Sequence, residues 1–241
     1  MLVKFCGAVT EDEAAAAAGA GADLLGLWYA VPGGPAELSA GRLTELAAAT
    51  RAAGRTEPVL VTFSNDAEDL LRVLTGARVT WIQLHGFQPP SVVRRLRRGA
   101  GPGLRIVKVL HVDGAGRCPE EGLLHGYERA GADLFLFDAV GPGGRLGSTA
   151  RALDPAAVVA LAERTELPFL LAGGLRAGNH GPFAPVRELP GFAGIDVDSA
   201  ARGPAGRIDG AAASAVARAW RAAGPARGLP DRLAGPVGEV A

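Results

Sequence analysis

The chain has 241 residues, a length typical of a single α/β barrel, and its 25 basic and 25 acidic side chains balance. This balance excludes the basic field that nucleic-acid binding requires, and no apolar run reaches the roughly 20 residues of a membrane span. Two cysteines make no disulfide framework, and the amino-terminal residues lack a signal-peptide pattern, so we expect a cytoplasmic protein.

Short apolar runs alternate with Ala/Leu-rich helical stretches along the chain. The runs are apolar throughout, which is typical of parallel strands buried on both faces. They predict strands at residues 2–6, 23–28, 58–63, 79–84, 104–110, 133–138, 168–172 and 194–197. The helices predicted between them are residues 11–18, 38–53, 70–74, 90–98, 120–130, 155–164, 182–189 and 208–223.

Several of these helices carry start signals. Thr10 and Glu13 form a capping-box pattern, and Asp154-Pro155 is an N-cap followed by proline. Eight strand–helix pairs predict one α/β domain, a (β/α)8 barrel over residues 1–223, with a Pro/Gly-rich tail at 224–241. A doubly wound sheet is the alternative, but its G-x-G-x-x-G fingerprint is absent after the first strand.

The carboxyl ends of the strands form the active rim of such a barrel. Cys6 and Asp138 end the first and sixth strands, and a facing thiol and carboxyl can act as base and acid. From spacing alone, a buried structural role is the commoner one for Cys6, and a scaffold role for His85. The predicted rim residues are Cys6, Trp28 or Tyr29, Asn65, His85, His111, Asp138, Gly173, Gly174, Asp198 and Ser199.

Glycine-rich loops follow the later strands. Residues 139–149 predict either a mobile lid or an ordinary turn-rich connection. The Gly173-Gly174 pair after the seventh strand and Ser199-Ala200 after the eighth lie where barrels often bind phosphate through backbone amides.

Taken together, these motifs resemble the phosphoribosylanthranilate isomerase family. The resemblance runs from residue 2 to about residue 209, and the cysteine-glycine opening combined with Gln-Leu-His-Gly is its most specific part. The motifs are Lys4-Phe5-Cys6-Gly7, Gly21-Ala22-Asp23 with Gly26, Phe63-Ser64-Asn65, Ile82-Gln83-Leu84-His85-Gly86, Phe137-Asp138, Gly143-Gly144 with Gly147, Ala172-Gly173-Gly174-Leu175 and Ile195-Asp196-Val197-Asp198-Ser199.

The resemblance implies an isomerase of tryptophan biosynthesis that converts an N-linked phosphoribosylamine into a 1-deoxy-ketose phosphate by an Amadori rearrangement. In that role Cys6 is the general base and Asp138 the general acid. No cofactor or metal is implied, and the expected partner is a small phosphorylated sugar, bound by a monomer or homodimer. The residues expected to bind it or its phosphate are Gly173, Gly174, Ser199, Ala200, Arg202, His85 and Asn65.

The residues expected to bind the carboxylate and the phosphate of the substrate depart from the family pattern. The loop at residues 29–38 lacks the family's arginine, which grips the anthranilate carboxylate, and carries Glu37 instead. Asp198 and Ala200 stand in the phosphate loop, where we expect Arg202 to pair with Asp198.

Three interpretations follow from this pattern. In the first, the chain is the tryptophan-pathway isomerase, and Arg176 or Lys108 binds the carboxylate. In the second, it is a relative that acts on another amine-bearing or sugar-like substrate in specialised metabolism. The third is a non-catalytic barrel, and the retained Cys6 and Asp138 argue against it.

Overall fold

The structure is a computed structural model that describes residues 1–141 and 152–224. Most of the predicted loop at 139–149 and nearly all of the tail at 224–241 therefore lie outside the described residues. The strands are β1 (Leu2–Cys6), β2 (Leu24–Tyr29), β3 (Glu37–Leu38), β4 (Glu57–Thr62), β5 (Trp81–Leu84), β6 (Arg105–Val112), β7 (Leu134–Ala139), β8 (Phe169–Leu171) and β9 (Phe192–Val197). The helices are α1 (Glu11–Gly19), α2 (Ala40–Ala52), α3 (Ala67–Ala77), α4 (Pro90–Ala100), α5 (Leu124–Ala130), α6 (Pro155–Ala162), α7 (Ala184–Glu188) and α8 (Gly210–Ala223).

All strand pairings within this sheet are parallel, and the sheet closes on itself because β1 pairs with both β2 and β9. The short β3 pairs only with β2 and stands outside the ring, which leaves eight strands in the barrel. The predicted (β/α)8 barrel is therefore confirmed. The sequence did not predict β3, since two residues are too few to give a pattern.

Two apolar clusters hold the barrel together. The smaller cluster fills the barrel interior and includes Leu24, Val61, Val109 and Leu136. The larger cluster lies between the outer faces of the strands and the helices. Because side chains alternate along a strand, the inward positions of β1 are Leu2, Lys4 and Cys6, and the last of them reaches the mouth.

The predicted helix starts form as expected. Glu13 N donates to Thr10 Oγ1 at 3.2 Å, and Thr10 N donates to Glu13 Oε2 at 3.1 Å, which completes the capping box. Asp154 caps α6 by accepting from Ala156 N.

Helices α5 and α7 are shorter than predicted. Each follows a one-turn 3₁₀ segment, Glu121–Leu123 and Gly181–Phe183, and neither start has a side-chain cap. In the described ranges, no helix combines the length and apolarity that crossing a membrane demands.

Candidate active site

A cavity of about 490 Å³ opens at the carboxyl ends of the barrel strands. Its size is ordinary for a small-molecule site. The lining residues come from nearly every strand end and from the loop after β2: Cys6, Trp28, Val31, Pro32, Gly33, Gly34, Pro35, Val61, Phe63, His85, Asp138, Ala172, Gly173, Gly174, Leu175, Asp196, Val197, Asp198 and Ser199.

Cys6 is the last residue of β1, and its sulfur leans over the neighbouring strand. Its register partner on β2 is Gly26, and a Cβ atom on Gly26 would lie only 2.6 Å from Cys6 Sγ. The missing side chain therefore creates the space that the thiol occupies. From the far side of this space, Trp28 Nε1 donates a hydrogen bond to Cys6 Sγ at 3.2 Å.

A buried ion pair lies one layer below the thiol. Lys4 Nζ donates to both carboxylate oxygens of Asp196, at 2.8 and 2.9 Å, and the two residues are register partners on β1 and β9. Lys4 and Cys6 are two residues apart on one strand, so both face the interior. Asp196 also lines the cavity.

Burial and charge set the ionisation of these groups. Burial raises the pKa of the Cys6 thiol to about 11, although Lys4 and the Trp28 hydrogen bond act to lower it. Burial by itself lowers the pKa of Lys4, but Asp196 and Cys6 outweigh it and leave that pKa above its ordinary value. The ammonium group is therefore a fixed positive charge beside the sulfur.

Asp138 reaches the cavity from β7 and lies next to His85, which directly follows β5 and is paired with Gln83 on that strand. His85 Nε2 is 3.4 Å from Asp138 Oδ2, and Gln83 Nε2 is 2.9 Å from His85 Nδ1. In this orientation of the Gln83 amide its nitrogen donates, which makes Nδ1 the acceptor and places the ring proton on Nε2, the atom that faces Asp138. The other carboxylate oxygen accepts from Ala139 N at 2.9 Å.

The remaining walls are largely apolar. Residues 31–35 of the loop after β2 form one side, and Trp28, Val61 and Phe63 continue it. In the part of the chain that the structure describes, no arginine or lysine lines the cavity.

Six of the nine residues predicted to form the site line this cavity: Cys6, His85, Asp138, Gly173, Gly174 and Ser199. Gly173 and Gly174 both have left-handed backbone, with φ of 85° and 58°. Because glycine has no side chain, the backbone itself lines the cavity at these two positions. The other three predicted residues, Asn65, Ala200 and Arg202, are not among the lining residues. Asn65 is exposed and Ala200 belongs to the one-turn segment Ser199–Ala201.

Arg202 makes the pairing expected from the sequence. Its Nε donates to Asp198 Oδ1 at 2.6 Å. Its Nη2 also donates to the carbonyl oxygens of Cys6 and Gly7, each at 3.1 Å, and its Nη1 donates to Gly206 O at 2.8 Å. The guanidinium thus ties the loop after β9 to the end of β1.

Other residues considered from the sequence lie away from the cavity lining. Arg176 and Glu37 are exposed, and Lys108 is fully buried, where it donates to the carbonyl of Gly86. His111 is buried too, and its Nδ1 is 2.6 Å from a carboxylate oxygen of Glu120 rather than facing the cavity.

The sequence analysis gave no role to Lys4 or Asp196. A signal for both was present, since each is a charged residue inside an otherwise apolar strand, at a position that shares a face with a predicted rim residue. Within the described residues, no group of three or more histidine, cysteine, aspartate or glutamate side chains could hold a metal ion.

A closed barrel of eight parallel strands, with a thiol and a carboxyl in one cavity at its carboxyl end, defines a (β/α)8-barrel enzyme site. The family model for N-(5'-phosphoribosyl)anthranilate (PRA) isomerase matches residues 3–204. The chain belongs to this family, which confirms the resemblance and, at the level of the family, the predicted isomerase.

Individual relatives agree with the family match. Among curated proteins, the N-(5'-phosphoribosyl)anthranilate isomerase of Afipia carboxidovorans is 33% identical over 92% of this chain and 90% of its own length. That of Rhodopseudomonas palustris is 32% identical over 92% and 99%. Among solved structures, phosphoribosyl anthranilate isomerase from Thermus thermophilus superposes with a TM-score of 0.73 at 25% identity, covering 92% of this chain and 99% of its own.

Proposed function

We propose that the protein catalyses the Amadori rearrangement of N-(5'-phosphoribosyl)anthranilate to the corresponding 1-deoxy-ketose phosphate, as a step of tryptophan biosynthesis. The family match and the names of the relatives support this substrate. The observation that carries the proposal is that Cys6 and Asp138 line one cavity at the barrel mouth. A thiolate and a carboxylic acid are the base and acid that the reaction requires.

The two enzyme groups move one proton each, and the reaction changes no atom count. Asp138 donates its proton to the furanose ring oxygen as the bond from C1 to that oxygen breaks, and the nitrogen lone pair forms the C1–N double bond. Cys6 thiolate then takes the proton from C2. The electron pair of that C–H bond becomes the C1–C2 double bond, the C1–N π pair returns to nitrogen, and the enaminol tautomerises to the ketone.

The thiolate of Cys6 is disfavoured overall, because burial raises the pKa of the thiol to about 11. The Lys4 ammonium and the Trp28 N–H both stabilise the charged sulfur and offset part of this cost. His85, whose Nε2 is 3.4 Å from Asp138 Oδ2, lies beside the proposed acid. We propose that His85 positions this carboxyl rather than transferring a proton.

The phosphate is proposed to bind at the end of the cavity formed by Gly173, Gly174 and Ser199. The left-handed glycine pair exposes backbone there, which is the geometry of an anion-binding loop. Asp198 would repel a phosphate, and its ion pair with Arg202 offsets that charge. The phosphate contacts proposed from the sequence for Ala200 and Arg202 are thus indirect.

A second candidate substrate is a phosphoribosylamine whose ring lacks a carboxylate. A buried carboxylate needs a charge-assisted partner, and the described cavity lining includes no lysine or arginine. The wall of Trp28, Val31, Pro32 and Pro35 fits a flat uncharged ring instead. This candidate keeps the same acid and base.

Steady-state kinetics on phosphoribosylanthranilate and on phosphoribosylaniline separate the two candidates. Loss of one charged hydrogen bond costs roughly 1.5–3 kcal/mol, which corresponds to about ten- to a hundredfold in rate. A site without a carboxylate partner should therefore turn over phosphoribosylanthranilate no better than phosphoribosylaniline, or about ten- to a hundredfold more slowly. Carboxylate-dependent turnover, together with growth rescue of a tryptophan auxotroph that lacks this isomerase, supports the first candidate. Failure with both substrates refutes the reaction class.

Cys6→Ala and Asp138→Asn test the two catalytic roles. Each should lose about 10²–10⁴-fold in kcat and keep the wild-type melting temperature. Cys118→Ala is the matched control, because Cys118 is also a buried free thiol but does not line the cavity. Full activity of either active-site variant removes that residue from the mechanism.

The cellular setting remains a proposal as well. Cys6 and Cys118 are both free thiols, which suits the reducing cytoplasm. The expected monomer or homodimer stays a prediction, for which light scattering is the direct measurement.

A further inference from the structure

Trp28 contacts Cys6 in a way that the family resemblance does not explain. It lies on β2, whose interior positions are Leu24, Gly26 and Trp28. With glycine at the middle position, the indole reaches across the gap and its Nε1 approaches Cys6 Sγ to 3.2 Å. An indole nitrogen is a donor only, so in this hydrogen bond the N–H donates and the sulfur accepts.

The indole is held in place from two sides. A Cβ atom on Gly7 would lie 3.4 Å from Trp28 Cε2, and one on Gly34 would lie 3.1 Å from Cε3. The backbones after β1 and after β2 therefore both pack against the ring. Gly7 has a φ of 81°, which favours glycine at this close approach. A donor fixed in this way requires no reorganisation when charge develops on the sulfur.

We propose that Trp28 is a positioning residue for Cys6, whose indole N–H fixes the sulfur in the cavity and stabilises its thiolate. The hydrogen bond is neutral when the thiol is protonated and becomes charge-assisted when the proton leaves, so it is stronger in the ionised state. The inference rests on the proposed function only for the role of Cys6 as base.

Charged groups around the sulfur act in both directions. Lys4 favours the thiolate, whereas Asp196 and Asp198 disfavour it. Trp28 adds a donor to this balance without adding charge, so it does not compete with Lys4 for Asp196. Removing the indole N–H should therefore shift the Cys6 titration upward while the Lys4–Asp196 pair stays intact.

The test follows the Cys6 thiol directly, in a Cys118→Ala background where it is the only cysteine. Trp28→Phe keeps an aromatic ring and removes the donor. We expect the pH dependence of iodoacetamide alkylation to shift upward, with about ten- to a hundredfold slower alkylation near neutral pH. Because phenylalanine is smaller than tryptophan, a change in access alone would speed the reaction.

Kinetics provide the second measurement. The acidic limb of the kcat/KM profile should shift upward by the same amount in Trp28→Phe. If that variant folds poorly, Trp28→Leu takes its place and should show the same shift. Trp81→Phe is the matched control, since Trp81 is at the opposite end of the barrel interior and outside the cavity lining. Its alkylation and pH profiles should match those of the parent.

Two results would overturn the proposal. One is an unchanged alkylation profile in both Trp28 variants, and the other is a rise in KM with no shift in either pH profile, which would make the indole only a platform for substrate. The alkylation assay needs no turnover. If Cys6→Ala proves fully active, the proposed base fails, while the thiol titration still decides whether Trp28 stabilises the thiolate.

Discussion

Replacing Lys4 by methionine should separate the structural and chemical contributions of the buried ion pair. The ammonium contacts both oxygens of Asp196 at 2.8 and 2.9 Å, and the side chains of the pair are 1% and 7% exposed. Lys4→Met leaves the carboxylate buried without this partner. Breaking a buried pair in this way typically costs about 3–5 kcal/mol, because an uncompensated charge remains.

The expected change is large enough to measure by thermal melting. For a protein of this size, each kcal/mol lowers Tm by about 2–4 °C, so Lys4→Met should melt about 6–20 °C below wild type. The double variant Lys4→Met/Asp196→Leu removes both charges and should recover most of the loss. If the single variant melts with the wild type, or the double variant melts no higher than the single, the reasoning about this pair is wrong.

The reactivity of the Cys6 thiol should change in the same series. Lys4 lowers the pKa of Cys6 and Asp196 raises it, with Lys4 the larger of the two effects, so Lys4→Met should slow alkylation and the double variant should recover part of the rate. The alkylation rate of Cys6 is the readout. Lys108→Met is the matched control, because Lys108 is an equally buried strand lysine that lies outside the cavity lining. Normal alkylation in Lys4→Met would show that Lys4 does not act on the sulfur.

Two further predictions follow from single contacts. Gly26→Ala places a Cβ atom 2.6 Å from Cys6 Sγ, so the sulfur must move and activity should fall about 10²-fold. Gly76→Ala is the control, because Gly76 has open space around it and the change should not affect turnover. Equal kcat values in the two variants would contradict this. Burial lowers the pKa of Lys108 from 10.5 to about 8, so the unfolded chain binds the Lys108 proton more tightly between these pH values. Burial raises the pKa values of Cys6 and Cys118, which titrate in part of the same range with the opposite effect on stability. The stability of wild type relative to Lys108→Met should therefore rise with pH there, by roughly 3 kcal/mol. Urea unfolding of the two proteins measures this difference, and parallel pH curves would refute it.

The barrel could be predicted from the sequence because its signal is local and repeated. Each strand is a largely apolar run, and several helix starts carry their own side-chain cap, as at Thr10 and Asp154. The same local rule identified Cys6 and Asp138, since the last residue of a barrel strand faces the mouth. The boundaries of α5 and α7 could not be predicted, because their first turns lack side-chain caps.

Contacts between distant parts of the chain escaped the sequence analysis. Arg202 was assigned to phosphate from its loop, yet its guanidinium contacts the carbonyls of Cys6 and Gly7, nearly the whole chain away. Trp28 was recognised as a rim residue, but its hydrogen bond to the thiol depends on Gly26 leaving space. Such contacts require the register of neighbouring strands, which residue patterns alone do not specify.

The two lysines of this chain are a compositional signal for its buried charged groups. Of its 25 lysines and arginines only Lys4 and Lys108 are lysines, and both are buried in strands. An ammonium is a compact charge with three donors, so it fits where the wide guanidinium fork does not. Lys108 uses this compactness to reach backbone carbonyls beneath α5, whereas Lys4 uses it to hold Asp196 below the thiol. Because Lys4 and Cys6 are two residues apart on β1, this ammonium lies on the same face of the strand as the thiol.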